Sequence, residues 1–280
     1  MLRVRFWGVR GSIPTPGPST VAIGGNTSCV EMRAGDHILV FDGGTGLRLL
    51  GDALAKEMPR TVHLFFSHVH WDHIQGFPFF TPAFVKGNTI HLYGGANTVG
   101  TVETALAGQM ETPNFPVHLR DLPAALTFND LHEGEVVELA GGVCVRNASG
   151  NHPGGVFAYR VEYQGRSVVY ATDTEHGAVP DPKLVALCKD ADVVIYDTMY
   201  TPEEYEGQGG IPKIGWGHSH FVAGVALMKA AGADRYILFH HDPSQNDDAV
   251  REKERRTREL YPRSECAYEG MVLELPAKTP

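Results

Sequence analysis

Cysteine is scarce and scattered in this chain: Cys29, Cys144, Cys188 and Cys266 are the only four, and no two form a CxxC pair. That spacing excludes a cysteine zinc site and a small disulfide framework, so free buried thiols in a reducing compartment are expected. Apolar residues nowhere run uninterrupted for the roughly 18 positions that span a bilayer. The N-terminal MLRVRFWG alternates as a first strand does and lacks the apolar block of a leader. No membrane partner and a cytoplasmic location are the resulting expectations. Positive charge is short as well: 24 Lys and Arg stand against 33 Asp and Glu, a net charge of −9. A broad basic face that grips long nucleic acid is therefore not expected. Linkers and short-period repeats are also missing, so residues 1–280 are read as a single domain, with 42% hydrophobic residues to fill its core.

What the chain does have is concentrated between Thr61 and Gly76, in TVHLFFSHVHWDHIQG. Val62 to Phe66 is β-branched and aromatic without polar alternation, which predicts a buried strand. His68, His70, Asp72 and His73 follow within six residues. In an extended turn His68 and His70 point to one side, and a helix beginning at Trp71 presents Asp72 and His73 from its first turn. Imidazole nitrogen and carboxylate oxygen are ligands that borderline divalent cations prefer, so four of them at a strand end can hold two neighbouring ions. A single histidine after a strand is usually a satisfied polar side chain; four ligand types in HxHxDH spacing are a different case.

Around this stretch the chain alternates strands and helices. Leu2 to Trp7, Thr27 to Arg33 and Ile38 to Phe41 read as strands, the last two joined by a Gly35-Asp36 turn; Leu47 to Met58 has helical spacing and stops at Pro59. Phe77 to Glu135 is less regular: an apolar FPFFTPAF broken by Pro78 and Pro82, a strand at Thr89 to Tyr93, a helix at Val99 to Met110 and a loop in METPNFPVHLRDLP. It could roof a pocket, form the contact of a homodimer, or pack its phenylalanines as core. Strands then follow at Val136 to Leu139, Val143 to Asn147, Val156 to Tyr163, Ser167 to Ala171, Val193 to Tyr196 and Tyr236 to Phe239. Helices are read at Leu184 to Cys188, His218 to Ala231 and Asp247 to Leu260, and a closing hairpin through Glu269-Gly270. Strands then helices, twice over, predict an α/β (α+β) fold of two packed sheets flanked by helices.

Four side chains at a strand end would leave coordination positions empty, so further ligands must follow later strands. His152 stands in the turn after Val143 to Asn147, Asp173 at the end of Ser167 to Ala171, where one carboxylate could bridge two ions, and His240 and His241 at the end of Tyr236 to Phe239. Strand parity does not choose between His240 and His241. His37, His63, His91, His118 and His132 have no such setting.

HxHxDH after a strand, with these later ligands in this order, resembles the metallo-β-lactamase superfamily of hydrolases. The resemblance implies an αββα sandwich with a one- or two-metal site at one edge, zinc first among the candidate metals and Mn2+ or Fe2+ as alternatives. It further implies that His68, His70 and His152 hold one ion, that Asp72, His73 and a terminal histidine, His240 by likeness, hold the other, and that Asp173 is shared. Such a pair lowers the pKa of a water and clamps the oxygens of a displacement. GWGHSH resembles the GHST element of the tRNase Z branch, and VIYDTMY its HEAT element. That likeness implies that His218 contacts a phosphate oxygen or the leaving group, that Asp197 orients its ring, and that Ser219 opens a helix favouring an anion. Asp72 could also position the water.

In that branch a long arm gripping tRNA lies between the third histidine and the bridging aspartate; here His152 and Asp173 are only 21 positions apart. With no arm and an acidic balance, a small phosphodiester is expected. GVRGSIPTPGP and GGNTSC resemble bacterial hydrolases of this fold that include cyclic-nucleotide phosphodiesterases, which makes a cyclic nucleotide the expected substrate. Asn26 and Arg10, in these loops, either approach the phosphate or simply form turns. Rival readings are hydrolysis of a carboxylic ester, lactone or thioester, tRNA 3′ processing, and a metal-binding nucleotide sensor without turnover.

Overall fold

A computed structural model describes residues 1–95, 100–208 and 210–278. In chain order the first half holds strands β1 (Leu2–Gly8), β2 (Cys29–Ala34) and β3 (His37–Phe41), helix α1 (Gly46–Leu54), β4 (Thr61–Phe65), the single turn α2 (Trp71–Ile74), β5 (Thr89–Gly95), α3 (Val102–Gln109) and β6 (Ala125–Leu131). The second half holds β7 (Val136–Leu139), β8 (Val143–Gly150), β9 (Val156–Tyr163), β10 (Arg166–Ala171), α4 (Pro182–Cys188), β11 (Val193–Asp197), α5 (Pro202–Glu206), α6 (Phe221–Ala231), β12 (Arg235–Phe239), α7 (Asp247–Leu260), β13 (Ser264–Cys266) and β14 (Val272–Leu275).

The strands form two sheets, ordered β14-β1-β2-β3-β4-β5-β6 and β13-β12-β11-β10-β9-β8-β7. Each sheet is antiparallel on one side and parallel on the other: β3 to β6 run parallel in the first, β10 to β13 in the second. Parallel strands need covering on both faces, and the sequence supplies apolar side chains to each. Along β3, Leu39 and Phe41 join the core between the sheets, while Ile38 and Val40 join a second core under α1 and α3. Phe41, Phe65 and Tyr93 stack in a row on the inner face, with ring centroids 5.3 and 4.4 Å apart. Tyr170 of the opposite sheet meets Phe41 at 5.7 Å. Helices α4 and α6 cover the outer face of the second sheet. The result is the helix–sheet–sheet–helix sandwich expected from the sequence.

Four local expectations change. Glu269-Gly270 does not close a hairpin, because β13 pairs with β12 in the second sheet and β14 with β1 in the first. Strand β6, to which the sequence reading assigns no element, pairs in parallel along the length of β5; only Leu126 and Phe128 alternate inward before Asn129 and Asp130 break the pattern, too short a run to mark a strand. Residues 77–135 thus supply β5 and β6 to the edge of the first sheet and α3 to its outer layer. The helix expected from His218 begins at Phe221, where His220 caps it by accepting the Ala223 N–H at Nδ1. Helix α1 ends at Leu54, four residues before Met58, and Val99, where another helix reading began, lies outside the described residues.

Candidate metal centre

The parallel strands of both sheets end at the same edge, and the ligand-type side chains stand there. After β4, His70 is extended (φ −61°, ψ 153°) and caps α2, which carries Asp72 and His73 in its one turn. His152 follows β8, Asp173 follows β10 and His240 follows β12. Asp173 and His240 have left-handed backbones (φ +51° and +61°), as do Ser12 and Asp42 (both +62°) beside them. Backbone strain of this kind persists where surrounding structure enforces it, and it gathers at functional sites.

The side chains converge. His70 Nδ1 and His152 Nε2 are 3.0 Å apart, and both join His68 in one group whose ligand atoms lie within 4.8 Å of one another. Asp72, His73 and His240 make a second such group. His73 Nε2 lies 3.2 Å and His240 Nε2 3.3 Å from Asp72 Oδ2. Asp173 stands between the groups: its Oδ2 is 3.7 Å from His68 Nε2, 3.9 Å from His152 Nε2 and 3.4 Å from His73 Nε2, and its Oδ1 is 3.2 Å from His240 Nε2. His241 is not part of this; its Nε2 bonds the Ala267 carbonyl at 3.0 Å, so of the two histidines at the end of β12 it is His240 that faces the cluster.

The nitrogens facing the cluster suit a cation. Nε2 of His68 and of His73 are buried without any hydrogen-bond partner among the described residues. Their other nitrogens are committed: His68 Nδ1 to Ser67 Oγ at 3.0 Å, His73 Nδ1 to Asp42 Oδ2 at 2.7 Å, and likewise His152 Nδ1 to the Gly217 carbonyl at 2.8 Å. A ring that donates at Nδ1 offers a lone pair at Nε2, the arrangement of a metal-ligating histidine. Burial holds the His68, His70 and His152 pKa values below the usual histidine range, leaving them neutral. Burial opposes charge on Asp173 too, but the imidazoles of His240 and His73 outweigh it and hold its carboxyl well below the usual range. For His73, burial is overcome by the charges of Asp72, Asp173 and Asp42, which raise its affinity for a proton. That field serves a divalent cation equally well.

Asp42 escaped the sequence reading, which passed from the strand ending at Phe41 to the helix at Leu47. It is wholly buried and accepts from His73, from the Ser67 N–H (2.7 Å) and hydroxyl (2.8 Å), and from the Tyr170 hydroxyl (2.7 Å). The usable signal was its position: a carboxylate at the end of β3, the parallel neighbour of the strand leading to HxHxDH. Glycines matter at two places. A Cβ on Gly11 would lie 2.5 Å from the His240 ring, and one on Gly217 (φ +86°) 2.3 Å from His152 Nδ1.

Beside the cluster stands His218, its Nδ1 2.9 Å from Asp197 Oδ2 and its ring 5.0 Å from that of His240. Asp197, fully buried, also accepts the Met199 N–H at 2.9 Å. Burial would lower the His218 pKa, but the Asp197 charge and hydrogen bond, helped by Asp173 and Asp72, raise it to about 9. His218 lines an open pocket of about 490 Å³ together with Ser12, Met199, Tyr200, Trp216, Asp242, Pro243 and Ser244. Ser219 does not reach it: its hydroxyl is buried between His176 (3.0 Å) and the Tyr196 hydroxyl (3.1 Å). Asn26 is likewise engaged elsewhere, donating from Nδ2 to Glu269 at 3.0 Å. Arg10 is fully buried, donating to the carbonyls of Gly24 (2.8 Å) and Gln245 (2.6 Å), and so ties two loops together.

The family model described as the beta-lactamase superfamily domain matches residues 37–241, which span both halves of the ligand cluster. The chain belongs to that superfamily. Within it, this superfamily chain is 24% identical to a ribonuclease Z of Myxococcus xanthus, with 99% of each chain covered. That alignment runs over 335 positions against a chain of 280, so at least 55 positions of the relative have no counterpart here. Among solved structures, the metallo-beta-lactamase fold protein YhfI from Bacillus subtilis superposes with a TM-score of 0.72 at 18% identity, covering 97% of this chain and 98% of that one. A diphosphatase of the PhnP family gives the same TM-score at 17% identity, with 99% of each covered. This protein is a hydrolase of the metallo-β-lactamase family with a site fit for two divalent metals. No helix among the described residues is long and apolar enough to cross a membrane.

Proposed function

We propose that this protein is a dinuclear phosphodiesterase acting on a small phosphodiester, a cyclic nucleotide being the best-suited class. His68, His70 and His152 would hold one ion and Asp72, His73 and His240 the other, with Asp173 placed to serve either; zinc, manganese and iron(II) all suit nitrogen and carboxylate ligands of this kind. Such a pair supplies Lewis acidity and a water of lowered pKa. His218, whose Nδ1 is held 2.9 Å from Asp197 Oδ2, donates a hydrogen bond to a phosphate oxygen and passes a proton to the leaving oxygen. Asp72, which accepts the Ser12 N–H at 2.7 Å, helps to position the water. The His218–Asp197 pair at the lip of the cluster carries this reading, because a charged donor aimed at that spot suits an anion better than a neutral carbonyl ester.

Substrate size is argued from the chain between His152 and Asp173. It is fully used by the β9–β10 hairpin, whose turn is Gln164-Gly165, which leaves no room for an RNA-gripping arm. The names of the relatives favour a second reading, cleavage of a tRNA 3′ extension. The two separate in a panel of 2′,3′- and 3′,5′-cyclic nucleotides, linear dinucleotides and 3′-extended tRNA on protein of known metal content. Turnover of cyclic nucleotides with tRNA left intact is the expected result, and efficient cleavage of the tRNA alone would replace the first reading by the second. His218→Ala should lower turnover of bis(4-nitrophenyl) phosphate by about 10²- to 10⁴-fold with metal content retained. A variant as fast as the parent, or hydrolysis of 4-nitrophenyl acetate in preference to the phosphate, would remove the proposed role.

A further inference from the structure

The pocket beside His218 carries chemistry that the hydrolytic step leaves unused. Its outer wall is Trp216, at the end of a loop rich in glycine (Gly207, Gly210, Gly215, Gly217). Such a loop would ordinarily be loose, but the Glu175 carboxylate ties it down. It accepts the N–H groups of Gly215 (2.7 Å) and Gly217 (2.9 Å) and the Tyr205 hydroxyl (2.6 Å). The main chain on either side of Trp216 is therefore held, its indole is 49% exposed, and the Lys213 ammonium lies 4.1 Å from its ring centroid. Facing the same space, Tyr200 is 2% exposed, and its hydroxyl has no hydrogen-bond partner among the described residues. Asp242 holds the Ser244 N–H and hydroxyl with Oδ1 (2.7 and 2.5 Å) and leaves Oδ2 without a partner among the described residues. None of the side chains lining the pocket is a lysine or arginine.

An exposed indole on a held main chain, an open acceptor and an open hydroxyl around about 490 Å³ suit a flat heteroaromatic group bearing hydrogen-bond donors. A carboxylate without a cation partner disfavours a second phosphate in that space. We propose that this pocket binds the nucleoside half of the substrate, its base stacked on Trp216 and a hydroxyl or amino donor on Asp242. The substrate class is then a phosphodiester with one nucleoside and no further phosphate on that side. This rests on the phosphodiesterase reading of the adjoining centre.

Two esters with the same leaving group test it: thymidine 5′-(4-nitrophenyl phosphate) and methyl 4-nitrophenyl phosphate, on metal-loaded protein. Base stacking makes the ratio of their kcat/KM values roughly tenfold or more in favour of the nucleoside ester. Trp216→Ala should bring that ratio close to one, and Trp216→Phe should restore most of it. A ratio near one in the parent protein, or one unchanged in Trp216→Ala, overturns the proposal. The parent should also prefer the nucleoside ester over its 3′-phosphorylated form, a preference that Asp242→Asn narrows; no such preference overturns the exclusion of a second phosphate. If neither ester is hydrolysed, the phosphodiesterase reading fails by itself. Calorimetric titration with thymidine 5′-monophosphate still decides the pocket: roughly tenfold weaker binding to Trp216→Ala supports it, equal binding rejects it.

Discussion

At the scale of single residues, the centre depends on side chains that touch no substrate. Asp42 fixes the His73 ring and is itself fixed by Ser67 and Tyr170, so its removal leaves four buried donors without this acceptor. Asp42→Ala should weaken metal binding by about 10- to 100-fold, measured by chelator competition, while leaving the secondary structure in place. A different histidine contributes to acid stability. His63 lies in the row His37–His63–His91 on β3, β4 and β5, away from the metal edge, with ring centroids 5.7 and 4.9 Å from its neighbours. Burial, then the charges of His91 and His37, lower its pKa to about 4. The unfolded chain takes up this proton near pH 6.5 and the folded chain only near pH 4, so stability present above 6.5 is lost as pH falls through that window. In His63→Phe, melting temperatures of metal-free protein should drop less between pH 7 and pH 4.5 than in the parent, by a few degrees. Equal drops would remove His63 from the account.

At the scale of elements, the loop between α5 and α6 links catalysis to metal binding. Glu175 bonds the Gly217 N–H, and the Gly217 carbonyl orients His152, so one carboxylate sets both the His218 segment and a ligand ring. Glu175→Ala should lower kcat/KM by on the order of tenfold even with metal saturating, and stopped-flow or steady-state rates will show it. This level also shows what could be read from the chain. The convergence of HxHxDH, His152, Asp173 and His240 was legible because each follows a segment that reads as a strand, and strand ends at one sheet edge lie together. His218 and Asp197 were legible through motif likeness. Asp42, Glu175 and the pairing of β14 with β1 were not: an Asp before two glycines looks like any turn, the partners of the Glu175 carboxylate (Tyr205, Gly215 and Gly217) lie 30 or more residues away, and strand partners far apart in sequence leave no local trace. Ser219 and Asn26 misled because a hydroxyl or amide in a motif says nothing about which way it faces.

At the scale of the whole molecule, the ligands come from both sheets. His68, His70, Asp72 and His73 follow β4 of the first, and His152, Asp173 and His240 follow strands of the second. Ions bound there tie the two halves at one edge, as the aromatic rows tie them within. With metal at about 1,000 times its dissociation constant, binding contributes about 4 kcal/mol. Chelation should therefore lower the melting temperature by on the order of 10 °C. The central claim, that these seven side chains cage a pair of cations, is tested most directly by elemental analysis of purified protein equilibrated with zinc or manganese, the parent beside Asp173→Ala. The account predicts two ions per parent chain and fewer than one in the variant, with phosphodiester turnover lost alongside. A parent chain that holds no metal after equilibration, or an Asp173→Ala chain that still holds two, would contradict it.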